Sequence, residues 1–308
     1  MIVRLLLRAA QMVLVVLAVV TIAFFVLRLA TGDPARLINP PGTPEEVIAQ
    51  TRERIGTDKP LFLQYGEYLL NLAQGDLGRS FRGAEPVRQA VLDALPNTVA
   101  LAGIAVVVGA VLALLLGGAA AWRPNSLLDR SVLGYAALAQ ATPAFWLAVV
   151  LVLFFSLRLR WFPAIDMAGP KSFVLPVATL VVTLSPILVR TVRQSFMETL
   201  GEDFIRAARA RGLPEWRVFL VHGLKIAALP LVTLIGLQLG FLLAGAVVVE
   251  AIFNWPGIGK LILDALASRD FPMIQGGVLV AAVAFVVLNF FVDLAYTLLD
   301  PRIRVGAQ

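Results

Sequence analysis

Six long stretches without a charged residue most constrain what this chain can fold into. They are residues 9–27, 94–122, 131–157, 172–189, 226–249 and 271–292. Crossing about 30 Å of hydrocarbon takes roughly 20 helical residues, so each run is long enough to span a bilayer. A mean hydropathy of +0.85 with only 15% charged residues also excludes an ordinary water-soluble domain.

These runs are apolar on every face, whereas the strands of a membrane barrel alternate apolar and polar residues. The sequence therefore predicts an all-α membrane protein with six transmembrane helices. A cleaved signal peptide is an alternative for the first run, because Arg4 and Arg8 precede it. The run is too long for a typical signal sequence, and residues 29–33 offer no clear cleavage site, so we expect it to be retained.

The distribution of basic residues predicts the orientation, because short loops rich in Lys and Arg stay in the cytoplasm. With the N-terminus inside, the inside segments carry 13 Lys and Arg residues and the two short outside loops carry five. Both termini are therefore predicted to be cytoplasmic. The net charge of +6 then faces anionic lipid and cytoplasmic partners, and it requires no nucleic acid.

Two segments between the runs are long enough for structure of their own. Residues 30–95 form a predicted extracytoplasmic segment, with helices expected at residues 44–54, capped by Thr43, and at residues 61–73. Residues 190–225 form a predicted cytoplasmic loop of two helices that are separated at Gly212, where glycine suits a left-handed turn.

The chain offers little for catalysis or metal binding. It has no cysteine and a single histidine, His222, which excludes disulfides and thiolate metal sites. The sequence Gly257-Ile258-Gly259-Lys260 is similar to the end of a phosphate-binding loop, but Leu261 replaces the Ser or Thr that would hold magnesium. We therefore expect no catalytic residue, bound cofactor or resident metal.

The cytoplasmic loop contains the most specific motif, Asp203-Phe204-Ile205-Arg206-Ala207-Ala208-Arg209-Ala210-Arg211-Gly212. It resembles the loop by which permeases of bacterial ABC importers dock into their ATPase subunits. Its small side chains would keep a helix slim, and its arginines would supply polar contacts. The resemblance implies an ATPase-coupling role for Arg206, Ala207, Ala208, Arg209, Arg211 and Gly212. From composition alone, an ordinary basic loop remains the alternative.

Further motifs extend the resemblance over nearly the whole chain. In order they are Gly32-Asp33-Pro34, Asp76-Leu77-Gly78, Asn97-Thr98, Glu250, Asn254-Trp255-Pro256-Gly257, Arg269-Asp270-Phe271-Pro272, Asp293 and Asp300-Pro301-Arg302. The pattern is similar to the permeases for oligopeptides, dipeptides and nickel. It implies the type I importer fold, with residues 1–308 as a single permease domain in the bacterial cytoplasmic membrane.

The resemblance also implies partners. They are a second homologous permease subunit, two ATPase subunits that hold ATP and magnesium, an extracytoplasmic solute-binding protein, and membrane lipid. Peptides are the expected solutes, and nickel or another small solute is the alternative within the same family. An ion-coupled secondary transporter is a more distant alternative, because it predicts ionisable residues at the bilayer midplane and the six runs contain none. A receptor or assembly scaffold is a third class, and the cytoplasmic motif argues against it.

Polar residues at membrane depth are few. Gln238 and Asn289 are amides that could line a path for peptides, whereas Thr142 and Thr183 could equally form structural hydrogen bonds. Gly236 and Gly240 stand four residues apart, which allows close helix packing. We therefore predict Gln238 and Asn289 as possible translocation-path residues.

Overall fold

The computed structural model describes residues 2–83, 85–164 and 169–299, and every regular element within this part is a helix. The only β feature in the same ranges is an isolated bridge between Arg79 and Pro86. The predicted cytoplasmic charges Arg302 and Arg304 and the motif Asp300-Pro301-Arg302 lie outside the described residues. The predicted all-α class is confirmed for the part that is described.

The α-helices follow in chain order. They are α1 (Ile2–Thr31), α2 (Pro34–Ile38), α3 (Glu45–Ile55), α4 (Leu61–Ala73), α5 (Val87–Trp122), α6 (Leu127–Ala141), α7 (Ala144–Leu151), α8 (Val174–Leu200), α9 (Asp203–Ala210), α10 (Glu215–Arg217), α11 (Leu224–Ala227), α12 (Leu229–Ile252), α13 (Ile258–Ser268) and α14 (Phe271–Leu299). Two π-helical turns, Val152–Arg158 and Val218–Gly223, and a 3-10 turn, Pro170–Phe173, complete the described helices.

Four of the described stretches are long and apolar enough to cross a membrane. They are Ala10–Leu29, Val87–Trp122, Pro170–Leu200 and Phe271–Phe291, and they match four of the six predicted runs. The pair formed by Leu127–Ala141 and Ala144–Arg158 makes a fifth if it counts as one span. The remaining run corresponds to α12, a helix of 24 residues whose only charged residue is Glu250.

The third predicted run is not one uninterrupted helix, because its two halves meet at 101°. The break lies at Thr142, which has extended backbone angles (φ −89°, ψ 119°), and at Pro143, which precedes α7. Proline lacks an N–H and pushes the residue before it out of the helical region, so the α6 hydrogen-bond ladder stops here. Pro96 and Pro186, by contrast, lie inside the unbroken helices α5 and α8.

The chain divides into two compact units. One comprises the chain up to Thr98 together with Pro256–Val286. Its core joins the start of α5 to α13 and the start of α14 through Val87, Val91, Ile258, Ala265, Met273 and Ile274. A β-carbon on Gly276 would lie 2.3 Å from Val87 Cγ1, so glycine allows α14 to approach α5.

The other unit comprises Val99–Trp255 and the chain from Val287 onward, and it is centred on α8. A β-carbon on Gly117 of α5 would lie 2.7 Å from the Val189 carbonyl oxygen and 2.9 Å from Val192 Cβ. Because Gly117 has no side chain, the backbones of α5 and α8 can pack in direct contact. Small residues at such sites are how membrane helices approach closely.

An ion pair joins α6 to α8 in this second unit. The Arg193 guanidinium donates to both carboxylate oxygens of Asp129, at 2.5 and 2.7 Å, and the Asn125 backbone N–H donates to the same carboxylate at 2.8 Å. Asp129 is buried, and a buried carboxylate is tolerated only when it is paired and hydrogen-bonded in this way.

The predicted external segment, residues 30–95, contains the two helices predicted for it. The prediction of residues 61–73 coincides with α4, and that of residues 44–54 is one residue from α3. The predicted cap by Thr43 is wrong, because the Thr43 hydroxyl donates to the Pro40 carbonyl and α3 starts without a side-chain cap.

Candidate functional site

The motif at residues 203–212 forms a short helix that ends in a left-handed turn. α9 begins with Asp203 and has Arg209 in its last turn, so both charges favour the helix dipole. The chain then turns at Gly212, whose φ is +76°, and Pro214 precedes α10. The predicted break at Gly212 is therefore confirmed, and it is built from local sequence.

One side of α9 is fixed to the rest of the chain. Ile205 is 0% and Ala208 is 6% exposed, and both pack against Val218, with Leu200 and Leu213 around them. Of the six residues predicted for coupling, Ala208 thus lies on the inner side of the helix. Its small side chain fits the intramolecular contact and is not displayed to a partner.

The opposite side of the segment is exposed. Ala207, Arg206, Arg209, Arg211 and Gly212 are all exposed. Phe204 and Trp216 add exposed aromatic surface on either side of them. Five of the six predicted coupling residues therefore share a surface that combines small, basic and aromatic side chains, which is suited to a partner's groove.

An ion pair connects the two helices, α9 and α10, that form this surface. The Arg209 guanidinium donates to both carboxylate oxygens of Glu215, at 2.9 and 3.2 Å, and so connects α9 to α10 across the Gly212 turn. Arg206 pairs with Asp203 one turn earlier in α9, at 3.2 Å. Exposed pairs of this kind contribute little energy, so their effect is to orient the arginines.

Aromatic rings connect the segment to the helix core. Phe219, in the π-helical turn after α10, stacks on Phe196 of α8 with ring centroids 4.4 Å apart and planes at 6°. Its ring also meets Trp122 of α5 edge-on at 4.7 Å. Gly118 and Gly223 leave room around these rings. The segment after α10 therefore packs directly on α5 and α8.

The two predicted path residues lie on different helices of the same unit. Gln238 of α12 and Asn289 of α14 are both half-buried. The two threonines at membrane depth have structural partners, since the Thr142 hydroxyl donates to the Leu138 carbonyl at 2.8 Å and the Thr183 hydroxyl to the Thr179 carbonyl at 2.9 Å. The amides are thus the remaining candidates for contact with a solute.

Sequence reasoning did not single out the glycines of α5 that pack against α8. The pair expected to allow close packing, Gly236 and Gly240, stays a prediction. On α5, Gly109 and Gly117 come closest to α8, because their β-carbons would lie 3.1 Å from Leu184 and 2.7 Å from the Val189 carbonyl oxygen. They belong to a series of small residues at four-residue spacing, and this spacing could have identified them: Ala105, Gly109, Ala113, Gly117 and Ala121.

A second group that the sequence did not reveal lies at the start of α14. The Asp270 carboxylate accepts hydrogen bonds from the Ser80 hydroxyl and from the Phe81 backbone N–H. Arg82 donates to the Ser268 carbonyl at 2.9 Å. These contacts join positions about 190 residues apart, and they fix the end of the external segment to the junction of α13 and α14.

Charged pairs also order the beginning of the external segment. Arg52 donates to Asp33 at 2.7 Å and to Glu45 at 3.1 Å, and these hydrogen bonds raise the pKa of the Arg52 guanidinium. Arg36 adds a bond to Glu45 at 2.9 Å. Arg52 therefore ties α2 to α3, whereas its neighbour Glu53 is exposed.

The residues of the phosphate-loop-like motif make contacts within the chain. Lys260 pairs with Asp264, and the Ile258 N–H at the start of α13 donates to the Thr98 hydroxyl at 2.8 Å. Across residues 2–83, 85–164 and 169–299, no three His, Cys, Asp or Glu side chains form a group that could hold a metal ion.

Two family models together match nearly the whole chain. The model described as "Binding-protein-dependent transport system inner membrane component" matches residues 109–305. A companion model for the N-terminal part of such membrane components matches residues 1–102.

Relatives of known name match over almost their whole length. The chain is 38% identical over 289 residues to the glutathione transport system permease protein GsiC of Salmonella typhimurium, covering 94% of each chain. It is 36% identical over 305 residues to a putative peptide transport system permease protein of Brucella abortus, covering 96% of this chain and 97% of the relative.

Solved structures share the fold. An inward-facing form of the MetNI methionine ABC transporter aligns with a TM-score of 0.57 at 19% identity, over 69% of this chain and 97% of that one. An amino acid ABC transporter aligns with a TM-score of 0.51 at 16% identity, over 70% of this chain and 94% of that one.

Proposed function

The chain belongs to the inner membrane components of binding-protein-dependent transport systems, and from this premise we propose that it forms, with a second homologous permease, the membrane path of a peptide importer. The family consists of non-catalytic, multi-pass membrane subunits that work with a separate ATPase and a binding protein. The observation that carries the proposal is the match of both family models, which together cover nearly the whole chain.

Peptides are the proposed solutes because relatives that match over more than nine tenths of their length carry the names glutathione and peptide transport permease. Nickel or another small solute is the second candidate within this family. An ion-coupled secondary transporter is disfavoured by the family membership, since binding-protein-dependent systems belong to another mechanistic class.

The proposed topology has six crossings with both termini in the cytoplasm. The four long apolar helices, the bent pair counted as one span, and α12 together support six. The excess of Lys and Arg on one side supports the orientation. In this arrangement the chain acts as one permease domain over residues 1–308, with residues 30–95 outside and residues 190–225 inside.

Coupling is proposed to run through α9. Its exposed side, with Arg206, Ala207, Arg209 and Arg211, would sit in a groove of one of two ATPase subunits, whose ATP and magnesium are not held by this chain. Ala208 would contribute from the inner side, by holding α9 against Val218. Closing of the ATPases would then move α9, and the stacked ring of Phe219 would pass this movement to α8.

The test is a matched pair of replacements at Ala207 in the complex reconstituted with its ATPase and binding proteins. Ala207→Trp adds a large side chain to the exposed side, and overpacking a groove costs about 1 to 3 kcal/mol. Because 1.4 kcal/mol is tenfold in an equilibrium constant, docking should weaken roughly 5- to 150-fold. Ala207→Ser is the size-matched control and should behave as the wild type.

Uptake of labelled dipeptide, tripeptide and nickel is measured alongside ATP hydrolysis in the same vesicles. The proposal expects binding-protein-stimulated hydrolysis with peptides, lost in Ala207→Trp and retained in Ala207→Ser. Nickel uptake without peptide uptake would contradict the solute assignment alone. Normal uptake by the Trp variant would contradict the coupling role of α9.

The translocation path is proposed to include Gln238 and Asn289, because backbone amides of a peptide can exchange hydrogen bonds with them. Gln238→Leu and Asn289→Leu should change the preference among peptides while leaving assembly intact. Loss of assembled complex, with the preference unchanged in what remains, would instead assign these amides to helix packing.

A further inference from the structure

The external helix α4 is rich in apolar residues but buries none of them. Phe62 is 79%, Leu63 59% and Leu70 64% exposed, although α4 lies in a segment with many charges. Large apolar side chains clustered on one exposed surface indicate contact with another apolar phase. We call Phe62, Leu63 and Leu70 the apolar side of α4.

A different side of α4 packs against the end of the membrane helix α1. The Tyr65 hydroxyl forms a 2.6 Å hydrogen bond with Thr21, and the Tyr68 ring stacks on Phe24 with ring centroids 5.4 Å apart. The apolar stretch of α1 ends at Leu29. Thr21 lies eight residues before this end, which is about 12 Å along the helix. Tyr65 therefore reaches α1 well inside its apolar stretch.

The apolar side of α4 is continuous with the exposed side of α1. Ile22, Val26 and Leu29 are exposed on α1, and at 100° per residue they follow each other around the helix next to Phe25. Phe25 in turn meets Phe62 of α4. A single apolar surface thus runs from the membrane-crossing helix onto the external helix.

The polar residues of α4 lie on its other flank. Glu67 and Asn71 are exposed four residues apart, and Lys59 pairs with Glu67 at 2.5 Å. Gln64 is on this flank as well, and it accepts a hydrogen bond from Arg28 of α1 at 3.0 Å. α4 therefore has an apolar flank and a polar flank, as expected for a helix that lies in a membrane interface.

We propose that α4 lies in the lipid interface at the Leu29 end of α1, with Phe62, Leu63 and Leu70 among the lipid acyl chains and Glu67 and Asn71 in water. Tyr65 and Tyr68 lie between α4 and α1, at the level where tyrosine is enriched in membrane proteins. The occupant of the apolar side is lipid, because this surface continues that of a membrane-crossing helix.

This proposal requires only that α1 crosses the membrane, so it does not depend on the solute or on α9. It divides the external segment into two parts. The ion pairs of Asp33, Glu45 and Arg52 form its water-facing part, and α4 anchors the segment at the membrane surface.

Spin labels in the assembled complex, reconstituted into phospholipid vesicles, test the placement. The chain has no cysteine, so single replacements Phe62→Cys and Leu70→Cys carry one label each. Glu67→Cys and Asn71→Cys are matched controls on the polar flank, and Val26→Cys is the lipid reference on α1. Collision of each label is measured with oxygen, which dissolves in lipid, and with a water-soluble nickel chelate.

The expected result is a higher ratio of oxygen to nickel collisions at 62 and 70 than at 67 and 71, close to the ratio at 26. A low ratio at 62 and 70 would place the apolar side in water and overturn the proposal. Low collision with both reagents at 62 and 70 would mean that a protein covers this side, and it would also overturn the proposal. All five labelled positions are exposed, and Leu70→Cys and Asn71→Cys change neither the Phe25–Phe62 contact nor the Lys59–Glu67 pair.

Discussion

Gly212 provides the sharpest test of coupling. Its backbone conformation disfavours any side chain, whereas its surroundings leave room for one. Its φ of +76° is a conformation that L-residues other than glycine rarely adopt. A β-carbon built there meets no atom within 4 Å. The cost of Gly212→Ala is therefore backbone strain alone, without a steric clash.

The backbone strain of Gly212→Ala corresponds to a free energy of known magnitude. A left-handed residue with a β-carbon costs roughly 1 to 2 kcal/mol, and an energy of this size changes a two-state ratio about 5- to 30-fold. The turn is what allows the Gly212 N–H to bond the Arg209 carbonyl at 2.9 Å and Arg209 to meet Glu215. Gly212→Ala should accordingly lower the equilibrium ratio of the docked to the undocked geometry of α9 and α10 by this factor.

Asparagine is the matched control, because it adopts left-handed conformations more readily than alanine. Gly134→Ala in α6 is a second control, since a β-carbon there also meets nothing within 4 Å and no unusual backbone angle is required. Peptide transported per ATP hydrolysed should decrease in the order wild type, Gly212→Asn, Gly212→Ala, while Gly134→Ala should match the wild type.

The measurement uses proteoliposomes that contain the complete complex, with uptake and hydrolysis recorded on one preparation. The reasoning fails if Gly212→Ala transports as much peptide per ATP as the wild type. It also fails if the asparagine variant loses as much as the alanine variant, because the effect would then not be that of the left-handed turn.

Two further predictions concern packing and topology. Gly117→Ala should lower the thermal unfolding midpoint of the purified complex, because its β-carbon would meet the α8 backbone at 2.7 Å and overpacking costs about 1 to 3 kcal/mol. Gly103→Ala is the control on the same helix: its β-carbon meets nothing within 4 Å, so the midpoint should stay unchanged or rise. Equal midpoints for the two variants would argue against close packing of α5 on α8. Glu53→Cys should react with an impermeant thiol reagent in intact cells, whereas Ala210→Cys should react only after permeabilisation, and the reverse pattern would invert the proposed orientation.

Features that depend on neighbouring residues could be predicted from the sequence. The membrane class follows from apolar runs, and α4 follows from apolar residues at helical spacing before a glycine. The left-handed turn at Gly212 and the motif around α9 are equally local. Each of these is specified within a few residues, where backbone propensity and side-chain periodicity act directly.

Features that depend on which faces of two helices pack together could not be predicted from the sequence. Ala207 and Ala208 are adjacent and chemically identical, but Ala208 packs on Val218 while Ala207 is exposed. Arg52 and Glu53 are adjacent charged residues of α3, but Arg52 binds Asp33 while Glu53 is exposed. A one-residue step on a helix rotates the side chain by about 100°, so only the packed structure decides its role.

By itself, the sequence determined that this chain is a helical membrane protein, and that the motif at residues 203–212 ends in a glycine turn. Tertiary structure decided the bend of the third run, the contact of Gly117 with α8 and the pairing of Asp129 with Arg193. The bend follows a local proline signal, but Pro96 and Pro186 carry the same signal within continuous helices. Proline weakens a helix locally, and the packing around it determines whether the helix continues.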